Sequence, residues 1–416
     1  MSALCFRNAT LLPGAGDWMP RRGVDLLLRD GVIAAEGNAP DAEVIEAKHL
    51  LLMPALVNAH THSPEALARG RAPMARLDEW LAAQYAGGQD SLPAARIRHA
   101  ILLSAAEAIR GGAVRVTDHF RQIPPSVEAL RVAAEAWAEG GIRARLALML
   151  RDLPSPSASF VPPSTEAALA IARDALAARP LVCEIGLGPS APQRCSDELL
   201  RGLADLARNE GAFLHLHLCE TAKDAADCRA RFGTDPVTHL GKLGLLGPHV
   251  DLAHCVHLLD GELDQLAATG TRMVHNPVAN LRLGSGIAPV ARAIARGVRL
   301  GIGSDGPGSN DTQDMLEATK LALLLPRAGR PDAEWPSAAQ ILDIATDGAA
   351  LVPGAVADII VFDLRGAGFT DTTAEELAPR LLMATRPRDM VHVIGAGRFL
   401  MRDRALTSAT LRAIAP

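Results

Sequence analysis

Several features are missing from this sequence, and each absence narrows what the protein can be. No excess of positive charge is present. The 42 Lys and Arg are outnumbered by 47 Asp and Glu, leaving a formal charge of −5. A chain without a basic field is not built around nucleic acid or an anionic membrane surface. No apolar run is long enough to cross a bilayer. The stretch from Met1 to Pro13 lacks the basic flank and apolar segment of a secretory signal. A soluble cytoplasmic protein is expected. Six cysteines occur (Cys5, Cys183, Cys195, Cys219, Cys228 and Cys255), and none forms a C-x-x-C pair. Scattered in this way, they read as reduced, buried thiols rather than a disulfide framework or structural zinc site. Internal repeats longer than a β/α unit and low-complexity linkers are also missing.

The chain does have material for a large core: 49% of its 416 residues are hydrophobic and 21% are charged. That length points to a large barrel, or a barrel with a smaller domain. Short apolar runs alternate with longer Ala-rich amphipathic stretches, the pattern of repeated βα units. Strands are expected at 51–62, 113–120, 142–150, 181–189, 212–220, 249–258, 272–280 and 298–306. Helical patterns lie between them, as at 92–110, 126–140, 165–179 and 196–209. Eight parallel strands separated by helices make a (β/α)₈ TIM barrel. Gly111-Gly112, Gly140-Gly141 and Gly188-Pro189 punctuate its junctions.

The two ends read differently. Strand-like runs at 24–28 and 32–35 flank the turn Asp30-Gly31, and others occur at 357–364 and 391–399. Neither end can bury a sheet alone, so the two are expected to form one small composite β-sandwich beside the barrel. The boundaries follow as 1–53 and 356–416 for the halves of the sandwich and 54–355 for the barrel. The Pro- and Ser-rich stretch 154–164 reads as a loop over the barrel mouth.

Ligand-type side chains cluster where four of these strands end. The first strand finishes Asn58-Ala59-His60-Thr61-His62, and histidines at i and i+2 share one side of a strand. At the carboxyl end of a barrel strand that side faces the mouth, where two imidazoles can hold one divalent ion. An isolated His-x-His is more often a solvated pair. Here His215-Leu216-His217-Leu218-Cys219-Glu220, His254-Cys255-Val256-His257 and Gly303-Ser304-Asp305-Gly306 end the fifth, sixth and eighth strands. Eight strand ends in register bring all four groups around one point.

This set resembles the amidohydrolase superfamily, in its branch of cytosine, guanine and S-adenosylhomocysteine deaminases and triazine hydrolases. The similarity runs from the stretch Met53-Pro54-Ala55-Leu56-Val57-Asn58-Ala59-His60-Thr61-His62 to Ala357-Asp358-Ile359-Ile360-Val361-Phe362-Asp363. Between them it includes His275-Asn276-Pro277-Val278-Ala279-Asn280 and the following Leu281-Arg282-Leu283-Gly284-Ser285-Gly286. The resemblance implies that His60, His62, His217 and Asp305 are metal ligands. It implies that Glu220 and His254, with Asp305, handle protons and the transition state. Two-metal members bridge their ions with a carboxylated lysine on the fourth strand. The lysines here are Lys48, Lys223, Lys242 and Lys320, none on that strand, so one divalent ion is expected. Zinc suits three imidazoles and a carboxylate, and iron also fits.

The resemblance further implies a hydrolytic deaminase acting on an aminated nitrogen heterocycle. A carboxylic acid at Glu220 can protonate a ring nitrogen, a step that plain amide hydrolysis does not need. The other zinc-deaminase plan, H-x-E with P-C-x-x-C, is absent. The sequence departs from the adenosine-type pattern where substrate would lie. Gln89 stands for a ribose-binding Glu, Ser190 for a His after the fourth strand, and Leu148 for an Arg on the third. These changes point away from a purine nucleoside and leave pterins, oxidised purines, pyrimidines and triazines open. Trp80, Gln84, Arg151, His119 and His275 are further candidates for the substrate pocket, with His275 bracing the Asp305 loop. His215 and His257 are read as neighbours of the ligands, and the remaining histidines as structural. Two rival readings stand beside this one. The same site could expel chloride, an alkylamine or an amide nitrogen, or the barrel could be a non-catalytic scaffold. Scaffolds of this kind lose metal ligands, and here none is lost. A homo-oligomer is compatible with the apolar barrel helices.

Overall fold

The computed structural model describes residues 3–34, 40–84, 92–154, 161–179, 182–328, 331 and 334–415. Eight parallel strands form its centre: β1 Leu56–Thr61, β2 Ala113–Phe120, β3 Arg143–Leu150, β4 Glu184–Pro189, β5 Leu214–Leu218, β6 Val250–His254, β7 Arg272–His275 and β8 Arg299–Ile302. Each pairs with the next in chain order. The circle closes beyond β8, where the Asp305 amide donates to the His60 carbonyl at 3.0 Å. The Thr61 hydroxyl adds a bond to the Asp305 carbonyl at 3.0 Å. The strands are buried on both faces over most of their length, as a sheet covered by helices requires.

The helices start and stop where local chemistry dictates. Ser126 and Ser196 accept backbone N–H groups at the starts of Val127–Glu139 and Asp197–Glu210. The second ends at Gly211, whose φ of 58° lies in the left-handed region. Its apolar stripe of Leu199, Leu200, Leu203, Ala204 and Ala207 is buried in the common core.

The terminal domain draws on both ends of the chain. Its strands are Leu4–Leu11, Arg21–Arg29, Val32–Ile33, Glu43–Glu46 and Leu50–Pro54 from one end, and Ile359–Asp363, Met390–Gly395, Arg398–Arg402 and Ala405–Leu406 from the other. Antiparallel pairing of Leu50–Pro54 with Ile359–Asp363 joins the two contributions. A hydrogen-bonded path runs through eight of these strands, and the ninth, Glu43–Glu46, pairs beside it with Leu4–Leu11. This sheet has its own core of Phe6, Leu28, Leu52, Ile359, Val361 and Ile394, separate from that of the barrel.

Several expected strands differ in their limits, and four of them do so for an evident local reason. The run 51–62 is two strands, because hydrogen bonding changes partner at Ala55. Ala55 donates to Asp358 of the terminal sheet, and Leu56 donates to Gly112 beside β2. The run 272–280 stops at His275, since Pro277 opens the helix Pro277–Arg282. The run 298–306 stops at Ile302, and Gly306 leads into the short helix Pro307–Asn310. The run 391–399 is a hairpin turning at Ala396-Gly397, both at positive φ (46° and 74°). The expected fourth strand begins at Glu184, and Leu181 lies outside the described residues, as do 155–160 of the mouth loop. All six cysteines are free thiols. Burial pushes Cys195 up to about 12, which makes it an inert core residue. Among the described residues, no helix is long and apolar enough to cross a membrane.

Candidate metal centre

His60 and His62 leave the end of β1, His217 lies on β5, and Asp305 follows β8. Their polar atoms converge. The Nε2 atoms of His62 and His217 are 3.1 Å apart. Asp305 Oδ1 lies 3.2 Å from His60 Nε2 and 3.5 Å from His62 Nε2. Donors held at about 2.0–2.1 Å around a tetrahedral ion sit roughly 3.3 Å from one another, so this spacing suits a single ion.

The outer nitrogens fix which way each ring presents its lone pair. His62 Nδ1 donates to the His119 carbonyl at 2.8 Å, and His217 Nδ1 donates to the Ser190 carbonyl at 2.6 Å. A carbonyl can only accept, so both rings turn Nε2 inward as a lone pair. His60 Nδ1 is engaged by His215 Nε2 at 2.7 Å. Burial holds His60 and His217 well below the usual imidazole range, in the neutral form that binds metal. His60 Nε2 and Asp305 Oδ1 are buried with no hydrogen-bond partner. Two facing acceptors cost about 1–3 kcal/mol each when left unsatisfied. A cation between them removes that cost, so this donor set fits a divalent metal.

Glu220 and His254 stand at the rim of this cluster. Glu220 Oε1 is 3.8 Å from His254 Nδ1 and 3.4 Å from the Ser285 hydroxyl. Burial raises the Glu220 carboxyl above its ordinary value. For His254 burial acts downward, but the carboxylates of Glu220 and Asp305 and a 2.8 Å bond between Nδ1 and Asn280 Oδ1 leave it raised. Burial acts upward on Asp305, yet the adjoining imidazoles of His60 and His254 leave it lowered. The backbone is left-handed at Cys219 (47°), His254 (70°), Cys255 (50°) and Asp305 (62°). Such non-glycine conformations cost about 1–3 kcal/mol each and collect where side chains must be aimed.

A cleft open to solvent rises from His62, His217, Glu220, His254 and Asp305. Of the expected pocket residues, Trp80, Arg151 and Ser190 line it. Trp80 Nε1 donates to the Gly308 carbonyl at 3.1 Å, tying the 77–84 helix to the loop after β8. Gln84 does not line the cleft. It is buried behind it, its amide donating to the Ala68 carbonyl at 3.3 Å. His119 is fully buried below the cluster, its ring centroid 4.7 Å from that of His217. His275 is buried too, and its carbonyl accepts from the Gly303 amide at 2.9 Å, which ties β7 to the Asp305 loop. Leu148 is wholly buried in β3, and the arginine that this part of the chain presents to the cleft is Arg151. His257 Nε2 donates to the Ser285 carbonyl at 2.7 Å, away from the centre. Gln89 lies outside the described residues.

Sequence reasoning passed over Glu65, Arg121, Arg194 and Leu283, which also line the cleft. Three of them follow recognised positions closely: Glu65 after His62, Arg121 after His119, Arg194 after Ser190. Asn280, which holds His254, lies in a motif already noted but without an assigned role.

A sequence model of the Amidohydrolase family matches residues 51–400. The chain belongs to that family. It is 32% identical over 369 residues to a 5'-deoxyadenosine deaminase of Methanopyrus kandleri, covering 86% of this chain and 83% of that one. It is 33% identical over 347 residues to a 5-methylthioadenosine/S-adenosylhomocysteine deaminase of Nitratidesulfovibrio vulgaris, covering 81% and 76%. Among solved structures, an adenosine deaminase from Xanthomonas campestris with bound zinc superposes with a TM-score of 0.87 at 26% identity, over 99% of this chain and 95% of that one. A zinc complex of atrazine chlorohydrolase from Arthrobacter aurescens has a TM-score of 0.88 at 23% identity, over 99% and 98%, a likeness of fold.

Proposed function

We propose that this chain is a hydrolytic deaminase that converts the C–NH₂ of an aminated nitrogen heterocycle to C=O with release of ammonia. One divalent metal, zinc by the chemistry of the donors, would be held by His60, His62, His217 and Asp305 in a barrel spanning 54–355. The observation that carries the reading is a set of inward lone pairs beside Glu220, whose carboxyl burial raises above its ordinary value. When bound, the metal supplies Lewis acidity, lowering the pKa of a water toward roughly 7.

The protein groups do the rest. Glu220, its carboxyl raised by burial, is the acid placed to deliver a proton to a ring nitrogen, which makes the adjacent carbon electrophilic. Asp305 and His254 receive the proton lost by the attacking water, and His254, steadied by Asn280, faces the oxygen that gains charge. A second proton transfer to the amino nitrogen lets ammonia depart. The net change is one water consumed and one ammonia released. The whole-length relatives are deaminases of adenosine analogues, which supports an aminopurine as the first substrate to test. That runs against the expectation drawn from Gln89, Ser190 and Leu148. Arg151 gives this part of the cleft the cation that Leu148 lacks.

The test is metal content followed by ammonia release over aminopurines, aminopurine nucleosides, pterins, aminopyrimidines and triazines. About one zinc per chain and ammonia from one class is the expected outcome. Metal without ammonia would move the reading to another leaving group, and no metal after reconstitution would leave a scaffold.

A further inference from the structure

The three imidazoles of the centre are not held alike. His62 and His217 lean on neutral backbone carbonyls. His60 leans on a second imidazole, His215, which is wholly buried and nearly parallel to it, with 11° between ring planes. Behind His215 stands a charge. Its Nδ1 lies 3.8 Å from Asp251 Oδ2, an electrostatic rather than a hydrogen-bonding separation. Asp251 is itself buried, and Arg272 grips both of its oxygens at 2.8 and 2.7 Å while Arg145 adds a contact at 3.0 Å.

We infer that Asp251 and His215 form a buried relay that positions His60 and strengthens it as a metal ligand. The inference rests on the reading of His60 as a ligand. A carboxylate so held is a fixed negative charge, and it favours the proton of His215 on Nδ1. His215 Nε2 is then an acceptor, so the proton shared with His60 sits on His60 Nδ1. His60 Nε2 is left as a lone pair aimed at the centre, in the same state as His62 and His217. The difference is that the ring of His60 polarises toward a negative charge, where the other two face only carbonyl dipoles. Ligand basicity rises with such support, and loss of it costs metal affinity about 10–100-fold. His215 and Asp251 are positioning residues, since neither lines the cleft.

Zinc affinity, measured by competition with a chromophoric chelator, tests the relay independently of turnover. In His215→Phe the ring keeps its bulk but cannot accept from His60, and zinc binding should weaken about 10–100-fold. His215→Gln offers an amide acceptor and should recover part of the loss. Asp251→Asn should weaken zinc binding in the unsubstituted chain but have no further effect in the His215→Gln background, because the path between them is cut. A purely structural Asp251 would cost the same in both backgrounds, which would overturn the relay. So would His215→Phe binding zinc as tightly as the unsubstituted chain. If His215→Phe fails to fold, the comparison of Asp251→Asn in the two backgrounds still decides. Failure of the unsubstituted chain to bind zinc would overturn the proposed function as well, whereas zinc binding lost only in His60→Ala would overturn the relay alone.

Discussion

Ionisable side chains crowd both ends of the barrel, and they are treated in opposite ways. At the amino end Arg115, Arg143, Arg145 and Arg272 meet Glu184, Asp251, Asp347 and Asp358, and every charge there faces one of opposite sign. Asp251 shows the result. Burial alone would raise its pKa, but Arg272 and Arg145 hold it well below the usual carboxylate range. At the carboxyl end the groups are mostly imidazoles stripped of their charge, with lone pairs turned toward one centre. Left-handed backbone at Cys219, His254, Cys255 and Asp305 belongs to this end alone among the barrel strands. One end satisfies its own electrostatics and holds the barrel together. The other aims strained backbone and uncharged side chains at one centre, a cost offset by stability generated elsewhere.

If that division is correct, substitutions at the two ends should fail differently. The largest effect belongs to Glu220→Gln at the carboxyl end. It removes the acid and keeps the shape, so turnover should fall about 10²–10⁴-fold. Zinc content and melting temperature should stay as they are. A variant that lost zinc together with activity would mean that Glu220 serves the ion rather than the substrate. At the amino end the matching change is Arg272→Met. It leaves Asp251 buried with only Arg145 as a cationic partner, and denaturant unfolding should show a loss of about 3–5 kcal/mol. Unchanged stability there would break the contrast from the other side.

How much of this contrast could be read in advance differs between the ends for physical reasons. The carboxyl end was legible because its residues announce themselves. His60 and His62 at i, i+2, His217 near Glu220, and Asp305 between Ser304 and Gly306 are unusual neighbours at strand ends. The amino end was not. Arg115, Arg145, Asp251 and Arg272 are ordinary charges at strand starts, and only the shear of the closed barrel decides which pairs meet. His215 was visible as a histidine on the strand of His217, but its link to Asp251 depends on the pairing of β5 with β6. Strand limits were blurred wherever a tertiary partner changes mid-run, as at Ala55, where the exchange of partners leaves no mark on the hydrophobic pattern. Gln84 could be no more than a candidate, because a polar residue near a predicted mouth can serve backbone as readily as substrate, and here its amide serves Ala68.

A smaller effect is expected at Gly303, which follows β8 and packs against His60 of β1. A Cβ on Gly303 would lie 2.8 Å from His60 Cβ, 2.9 Å from the His60 backbone nitrogen and 2.4 Å from Asn276 Oδ1. Backbone cannot step aside as a side-chain tip can. Gly303→Ala should therefore part β8 from β1 and cost about 1–3 kcal/mol, as overpacking does. Because His60 and Asp305 lie on the two sides of that gap, zinc affinity should fall with stability. A loss of stability with zinc binding intact would show that the ligands are set independently of the strand contact.

The smallest effect concerns His275, and it sharpens what uncharged burial means at the carboxyl end. Burial, aided by the nearby charge of His254, lowers its pKa from 6.5 to about 3. Neither ring nitrogen has a hydrogen-bond partner. In the unfolded chain the same ring takes up a proton below pH 6.5, while the folded chain refuses it until about pH 3. The unfolded state thus binds more protons across that window, so stability is full above pH 6.5 and drains away as the pH falls. The slope from one such group is roughly 1.4 kcal/mol per pH unit once the unfolded ring is mostly protonated. His275→Leu removes the group and its share of the slope. The difference in unfolding free energy between the two proteins should therefore shift in favour of the variant by roughly 1 kcal/mol between pH 6.5 and 5.5. The comparison of two proteins cancels the other buried histidines, which titrate in both. A constant difference across that range would mean that His275 keeps its proton in the folded state. The carboxyl end would then hold a paired charge after all, as the amino end does.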